Sequence, residues 1–370
     1  MKRLNSIFKM DKKNRHQILL WLIGGLILTF ATEIFLRGSV KEVVSWVKET
    51  PGVMLANYLL ILMLTSIFFL AKRKYMVYFI SFVVILGVSI TTFFLMKVRG
   101  TPLTFSDLYS IGEAMEIADK YINPTIIIIG IVCIAFLVVF CVFLYKLDGD
   151  TKRFKLINFV LVFVVSAVFF TTVRSQQAKN IMVYKRWDIP ASYKCNGLTY
   201  STVESCLKYI RTKPNDYSQS KIAKIKEKVD KAEANDNRKL NKNKPNVLFV
   251  QLEAFMDPET IKGVKYSEDP IPNFRKLTKF YTSGMANVPT TGGGTVRTEF
   301  EVMTGNNIDY LTPGEIPYST ILKSKYYNSV ATTLSSQGYE THAVHNFQGN
   351  FYGRNNAYGK LGFGDFTSQI

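Results

Sequence analysis

Two side chains in the last third of the chain have the types and positions to do chemistry on an ester. Thr295 follows the three glycines at 292–294 and precedes a helix predicted to run through about Thr304. A hydroxyl there faces the positive end of a helix dipole and unpaired N–H groups, which together bind phosphate. A metal ion on the same oxygen would lower its pKa and make it a nucleophile. Taken alone, the pattern also fits a threonine that only caps its helix.

Glu253 is the second such side chain, because it ends the apolar, β-branched run that starts at Asn246. The run predicts a buried parallel strand, and ligands of open α/β sheets bind at the carboxyl ends of such strands. A carboxylate there either ligates a hard divalent cation or serves as a cap or surface charge. The strand-like segment Glu340–Val344 similarly places His345 at a carboxyl edge, where a core or capping histidine is the alternative. Pro272–Phe280 predicts a short amphipathic helix between them.

The first half of the chain has a different composition, with long uncharged apolar blocks instead of short runs. A helix needs about 20 apolar residues to cross the hydrocarbon core of a bilayer. Five blocks approach or exceed that length: Ile18–Leu36, Val53–Ala71, Tyr75–Met96, Thr125–Tyr145 and Leu156–Val173. They lack the polar stripes of a soluble helical bundle. We therefore expect five membrane spans.

The loop charges predict the orientation of these spans. Thirteen Lys and Arg residues lie before the first span and in the loops that share its side, whereas six lie in the loops of the opposite side. Positive loops stay in the cytoplasm. The N-terminus is therefore expected in the cytoplasm, and everything from Arg174 onward outside the cell membrane. The net charge of +18 does not indicate a nucleic-acid partner, since the basic surface is extracytoplasmic and lacks a binding motif.

Three further segments gave specific expectations. Residues 106–121, with Ser106 as N-cap, predict either an amphipathic helix on the outer membrane surface or a linker helix packed on the spans. Ile222–Leu240 predicts a charged connector helix. Cys195 and Cys206 would both lie where a disulfide can form.

Glu33, near a span end, is the one acidic residue in the spans, so the sequence offers no buried charged pair to support a transporter.

Taken together, these residues resemble the lipoteichoic acid synthase group. The resemblance is carried by Glu253 after its strand, Gly294-Thr295 before a helix, His345, the segment Phe351–Arg354, and the loop Arg99–Leu108. Members of this group are membrane phosphoglycerol transferases of the alkaline phosphatase/sulfatase superfamily. The resemblance implies a membrane α-helical bundle of five transmembrane helices (1–173), an extracytoplasmic helical linker (174–244) and an α/β sulfatase-like domain (245–370).

The same resemblance implies a role for each matching residue. Glu253 and Thr295 would ligate one Mn²⁺ or Mg²⁺. Thr295 would attack the phosphorus of phosphatidylglycerol, releasing diacylglycerol and forming a glycerophosphate ester. His345, Arg354 and Tyr352, which stands where the family often has tryptophan, would hold the glycerophosphate group. The acceptor would be a glycolipid or a growing polyglycerophosphate of the lipoteichoic acid type in the cell wall. Whether this chain forms a homo-oligomer is left open.

The chain departs from the family pattern downstream. The family completes its metal site with an Asp-His pair well beyond this region, but the histidines here are His16, His342 and His345. We therefore expect either an incomplete copy of a longer enzyme or a truncated protein that does not catalyse alone. Two alternatives follow. One is another phosphotransferase or hydrolase of the superfamily, such as a phosphoethanolamine transferase or a sulfuric ester hydrolase, although Thr295 argues against a sulfatase. The other is a non-catalytic membrane protein that binds anionic lipid or polymer.

Overall fold

The computed structural model describes residues 12–98, 100–111, 124–147, 156–185, 188–210, 216–234, 244–252, 255–288, 294–312 and 314–369. They form two compact units, Met1–Tyr209 with Pro289–Ile370 and Ile210–Val288. The helices are α1 (Lys12–Arg37), α2 (Val40–Glu49), α3 (Pro51–Thr65), α4 (Lys74–Val98), α5 (Pro124–Leu147), α6 (Leu156–Ala178), α7 (Ile189–Asn196), α8 (Leu198–Tyr209), α9 (Gln219–Ala234), α10 (Pro272–Phe280), α11 (Val296–Thr304), α12 (Val330–Ser335) and α13 (Arg354–Lys360). The strands are β1 (His342–Gln348) and β2 (Asp365–Gln369).

The five predicted spans are confirmed as long apolar helices. They are α1, α3 with the 3₁₀ turn Ser66–Leu70 that continues it, α4, α5 and α6, and each is long and apolar enough to cross a membrane. In α5 the most apolar stretch has no buried residue, as expected for a surface that faces lipid tails. Trp21 and Phe69, by contrast, pack edge to face at 5.2 Å between α1 and the end of the second span.

Two details of the loops between the spans differ from expectation. The connection after α1 contains the amphipathic helix α2, which buries Val43 and Trp46. In the loop after α4 the N-cap is Thr104 instead of Ser106, because Thr104 and Asp107 form a reciprocal capping box over the 3₁₀ turn Phe105–Ser110. The rest of the predicted 106–121 helix, from 112 on, lies outside the described residues.

The turn between α7 and α8 is bonded to the end of the first span. Glu33 accepts a hydrogen bond from the backbone N–H of Leu198 at 2.8 Å, which caps the N-terminus of α8. Arg37 lies 3.3 Å from the same carboxylate and donates to the carbonyl of Lys194 at 2.7 Å. The expectation that no buried charged pair exists in the spans is therefore wrong. The pair forms because Glu33 and Arg37 are one helical turn apart and both find backbone partners on α7 and α8.

Asn57 of α3 holds the same turn from the second span. Its amide donates to the carbonyl of Asn196 at 2.8 Å and accepts from the N–H of Tyr200 at 2.9 Å. Gly197, between α7 and α8, has φ +83°, and a Cβ there would lie 2.3 Å from Asn57 Nδ2. Only glycine satisfies both the left-handed backbone and this close approach. Cys195 and Cys206, on α7 and α8, are not bonded to each other.

The unit Ile210–Val288 confirms two predicted helices and contradicts a predicted strand. Helix α10 has the predicted bounds, and α9 covers the described part of the charged connector. The run from Asn246 is not a strand, and Leu248 is 85% exposed. A strand that is apolar on both faces needs paired neighbours and covering helices. The ladder β1–β2, the one present among the described residues, belongs to the other unit.

Residues 294–369 pack around one apolar cluster. Helix α11 contributes Val296 and Phe300, α13 contributes Ala357 and Tyr358, and β1 contributes Ala343. The strands pair in parallel, with Ala343 opposite Phe366. Since α13 connects the two strands, β1, α13 and β2 form a βαβ unit with α11 packed in the same core. The α/β character predicted for this segment is present here.

The amide of Asn57 should stabilise the α7–α8 turn. In Asn57→Leu the carbonyl of Asn196 and the N–H of Tyr200 lose their partners, and each buried group left unpaired costs about 1–3 kcal/mol. We expect a lower melting temperature in detergent and faster proteolysis between α7 and α8. Tyr58→Phe, which removes one exposed hydrogen bond to Leu22, is the control and should change little. Equal melting temperatures for the two variants would contradict this account.

Candidate functional site

Thr295 lies at the N-cap of α11, as predicted, and the helix ends at Thr304. Its hydroxyl makes no capping hydrogen bond to α11, and its backbone is already helical (φ −54°, ψ −27°). The residue before it, Gly294, has φ +76°, a conformation that favours glycine. The Gly-Thr pair therefore makes a sharp entry into the helix and leaves the hydroxyl at the positive end of the helix dipole.

One turn further along α11, Glu299 forms a buried ion pair with Arg354. The carboxylate lies 3.2 Å from Nη2 of Arg354, whose side chain is fully buried. Arg354 also donates to the carbonyl of Phe351 at 3.3 Å. The Tyr358 hydroxyl donates a short hydrogen bond to the other oxygen of Glu299. The structure thus brings the predicted Arg354 to the helix of Thr295, where its guanidinium pairs with a carboxylate of this chain.

Two tyrosines complete the surroundings of this pair. Burial raises the pKa of both Tyr318 and Tyr358, and the nearby Glu299 carboxylate raises each pKa further. Both phenols are therefore protonated at neutral pH, and Tyr358 acts as a hydrogen-bond donor. Two neutral phenols therefore lie near the pair, which is buried.

Tyr352 has a backbone conformation that non-glycine residues seldom adopt. Its φ is +59°, and Gly353 follows at +66°. The ring of Tyr352 lies with its centroid 5.4 Å from the Arg354 guanidinium carbon, and 4.3 Å from the ring of Phe351. Such strained positions persist only where the surroundings enforce them, and they cluster at functional sites. Of the residues predicted to hold the glycerophosphate group, the structure thus brings Tyr352 and Arg354 into contact.

His345 lies inside β1 and not, as expected, just after a strand. The strand extends to Gln348 because β2 pairs with it. The register slips between Val344 and Gln348, where β1 has more residues than β2. His345 is partly buried and stands two residues after the buried Ala343. Residues two apart in a strand lie on the same face, so His345 lies on the side of the core. Irregular pairing of this kind redirects side chains and is common beside active sites.

Arg297 is a cation near Thr295 in the sequence that the motifs did not indicate as a site residue. It stands in the first turn of α11, and its Cδ lies 3.5 Å from where a Cβ on Gly294 would be. Burial lowers the pKa of the guanidinium, while the carboxylates of Glu301, Asp309 and Glu315 and the phenol of Tyr184 oppose that change. Since a guanidinium keeps its proton in proteins, the first turn of α11 carries a positive charge two residues after Thr295.

The turn after α11 touches the membrane loop that precedes the 3₁₀ turn Phe105–Ser110. A Cβ on Gly314 would lie 2.6 Å from the hydroxyl oxygen of Ser106 and 2.8 Å from that of Thr104. Glu315 is buried and accepts hydrogen bonds from the backbone and hydroxyl of Thr312, at 2.9 and 2.7 Å. This turn thus connects the helix of Thr295 to the loop that follows α4.

The predicted metal site is only partly within the described residues. Glu253 lies outside them, and the parts of the chain that the structure describes contain no cluster of three or more His, Cys, Asp or Glu side chains suited to a metal ion. Of the two predicted ligands, the structure therefore places Thr295 alone. One hydroxyl is not a binding site for a divalent cation.

The helix pattern of α11 indicates that Glu299 needs a buried partner. Glu299 lies on the same face of α11 as the buried Val296 and Phe300. A carboxylate on an apolar helix face requires a buried cation or several donors. That rule predicts a partner for Glu299 but does not select Arg354 among the remaining cations, because the two residues are 55 positions apart.

Comparisons with known proteins identify the type of domain. Residues 245–370 match the family model described as Sulfatase, so five long apolar helices precede a sulfatase domain. A protein named "Putative cyclic beta-1,2-glucan modification protein" from Rhizobium meliloti (strain 1021) is 31% identical over 183 residues, which are 50% of this chain and 27% of that protein. The chain thus spans about a quarter of the length of this relative. No solved structure matches the chain.

The Glu299–Arg354 pair should be a major determinant of stability in the segment 294–369. In Glu299→Gln the buried Arg354 cation loses its counter-charge, and breaking a buried pair from one side costs about 3–5 kcal/mol. The free energy of unfolding can be measured by pulse proteolysis in urea. Tyr358→Phe, which removes one hydrogen bond to the same carboxylate, should cost about 1.5–3 kcal/mol. A larger loss in Tyr358→Phe than in Glu299→Gln would contradict the assignment.

Proposed function

We propose that this chain is the membrane-anchored part of a phosphotransferase that moves a glycerophosphate group from phosphatidylglycerol to an acceptor outside the cytoplasm. The observation that carries the proposal is the position of Thr295. Its hydroxyl stands at the N-terminus of α11, inside a segment that matches the Sulfatase family model, and it does not cap its own helix. Five apolar helices on the same chain would keep this hydroxyl close to a lipid substrate.

The reaction would proceed in two displacements at phosphorus. Thr295 Oγ attacks the phosphodiester, an O–P bond to threonine forms, and the bond to diacylglycerol breaks. The diacylglycerol oxygen takes up the proton that the threonine hydroxyl gives up. An acceptor hydroxyl then attacks the glycerophosphate ester, and Thr295 recovers a proton as it leaves. Helix dipoles and nearby cations stabilise the charge on the phosphate oxygens in both steps.

His345, Tyr352 and Arg354 would bind the glycerophosphate group. Arg354 can present planar donors to phosphate oxygens, and for that its Nη2 has to exchange Glu299 for the substrate. The proposal includes one divalent cation, Mn²⁺ or Mg²⁺, with Glu253 and Thr295 among its ligands. Such an ion would increase the acidity of the hydroxyl and neutralise charge on the phosphate.

Two classes of acceptor fit the proposal. The motif resemblance favours a glycolipid or a polyglycerophosphate chain of the lipoteichoic acid type. The name of the Rhizobium meliloti relative, "Putative cyclic beta-1,2-glucan modification protein", favours a cyclic β-1,2-glucan as the acceptor. Offering both acceptors in one reaction with labelled phosphatidylglycerol, and identifying the labelled product by mass, would separate these possibilities.

Thr295 should be essential for release of diacylglycerol. Membranes that contain the chain are incubated with fluorescent phosphatidylglycerol and Mn²⁺, and diacylglycerol is measured. Thr295→Ala should fall to the level of membranes without the protein, because no covalent intermediate can form. Thr298→Ala, on the same helix, is the control and should retain activity, and chelation by EDTA should abolish release until Mn²⁺ is restored. Undiminished release in Thr295→Ala would overturn the proposed mechanism.

The orientation in the cell membrane is a second, separate part of the proposal. In a variant without its native cysteines, a single cysteine at Lys221 should react in intact cells with a membrane-impermeant thiol reagent. A single cysteine at Lys72, which is exposed in the loop between the second and third spans, should react only after the cells are opened. Labelling of Lys72→Cys in intact cells would contradict a cytoplasmic N-terminus.

A further inference from the structure

We infer that Arg297 is a phosphate-binding residue of this site, holding a non-bridging oxygen of the phosphate group that Thr295 attacks. The inference rests on the proposed function of Thr295 and adds a residue to it. It is drawn from the place of Arg297 on α11, the contact of its side chain with Gly294 and the state of its hydrogen-bond donors.

The first observation is the contact of Arg297 with Gly294. The Cδ of Arg297 lies 3.5 Å from the position of a Cβ on Gly294, the residue immediately before Thr295. The aliphatic part of Arg297 therefore folds back across the entry to the helix. Because Gly294 has no side chain, nothing at that position separates Arg297 from the backbone that leads into Thr295.

The second observation concerns the hydrogen bonds of the guanidinium. Nε of Arg297 is buried and has no hydrogen-bond partner among the described residues. Three neighbouring carboxylates, those of Glu301, Asp309 and Glu315, reduce the cost of burying this cation, and two of them accept hydrogen bonds from other donors. Glu301 accepts from the N–H of Ile308 at 2.8 Å, and Glu315 accepts from Thr312 and Thr320. A buried N–H donor without a partner is costly, and a phosphate oxygen would satisfy it.

The third observation is the sign of the charge at this end of the helix. The N-terminus of a helix carries positive partial charge, so acidic residues are favourable in the first turn and cations are unfavourable. Arg297 is a cation in the first turn of α11. A bound anion would remove this repulsion, because the helix N–H groups and the guanidinium would then face the same negative charge.

Direct binding tests the inference without relying on catalysis. The purified full chain in detergent is titrated with inorganic phosphate and with glycerol phosphate, and binding is measured by calorimetry. Arg297→Gln should weaken binding of both at least tenfold, about 1.4 kcal/mol. Arg297→Lys should retain part of the affinity, because it keeps the charge but loses the planar donors. Lys325→Gln, which removes an exposed charge from the same unit, should bind like the unchanged protein.

A second measurement separates this inference from the proposed function. The chain is incubated with vesicles of phosphatidylglycerol, and the ester on Thr295 is followed by intact mass. If the ester forms at the same rate in Arg297→Gln, or if phosphate affinity does not change in that variant, Arg297 has only a structural role and the inference fails. If the unchanged protein does not bind phosphate, the inference also fails. If binding depends on Arg297 but no ester forms in any variant, the inference holds and the proposed function fails.

Discussion

The architecture of residues 294–369 depends on one buried ion pair, Glu299 with Arg354. A carboxylate and a guanidinium removed from water are each costly, and together they are tolerated only in a fixed geometry with their remaining donors and acceptors satisfied. Tyr358 and the carbonyl of Phe351 each supply one such partner. Because Glu299 is one turn from Thr295, and Arg354 begins α13, the pair connects α11 directly to the βαβ unit. The ring of Tyr352 lies against the same guanidinium.

A second constraint connects this segment to the membrane helices. The first and second spans contact the α7–α8 turn through Glu33, Arg37 and Asn57. These polar groups lie in apolar helices, where unpaired donors and acceptors are expensive. Their partners are backbone groups, which do not vary with sequence. The path of the chain after the last span is thus determined by a few side chains of two helices.

The parts that could be predicted from sequence are those in which the signal is local. Apolar block length predicted the five spans, and the proline at 272 and the Thr295 N-cap predicted α10 and α11 nearly to the residue. The Asn246 run was wrong as a strand because its formation depends on neighbours distant in the chain. The same limit applies to the site. Thr295 could be identified from three glycines and a helix start, whereas the partner of Arg354 depends on a contact across 55 positions. His345 was predicted just after a strand but lies inside β1, because pairing with β2 extends β1 to Gln348.

The contact at Gly314 limits how this protein can vary. The hydroxyls of Thr104 and Ser106 occupy the space that a methyl group on Gly314 would need. The loop after the third span and the turn after α11 can therefore be exchanged only together. A hybrid that joins the apolar helices of one relative to the sulfatase-like segment of another would place foreign side chains in this contact unless both pieces came from one parent. The two parts of the chain that meet at Gly314 therefore have to change together.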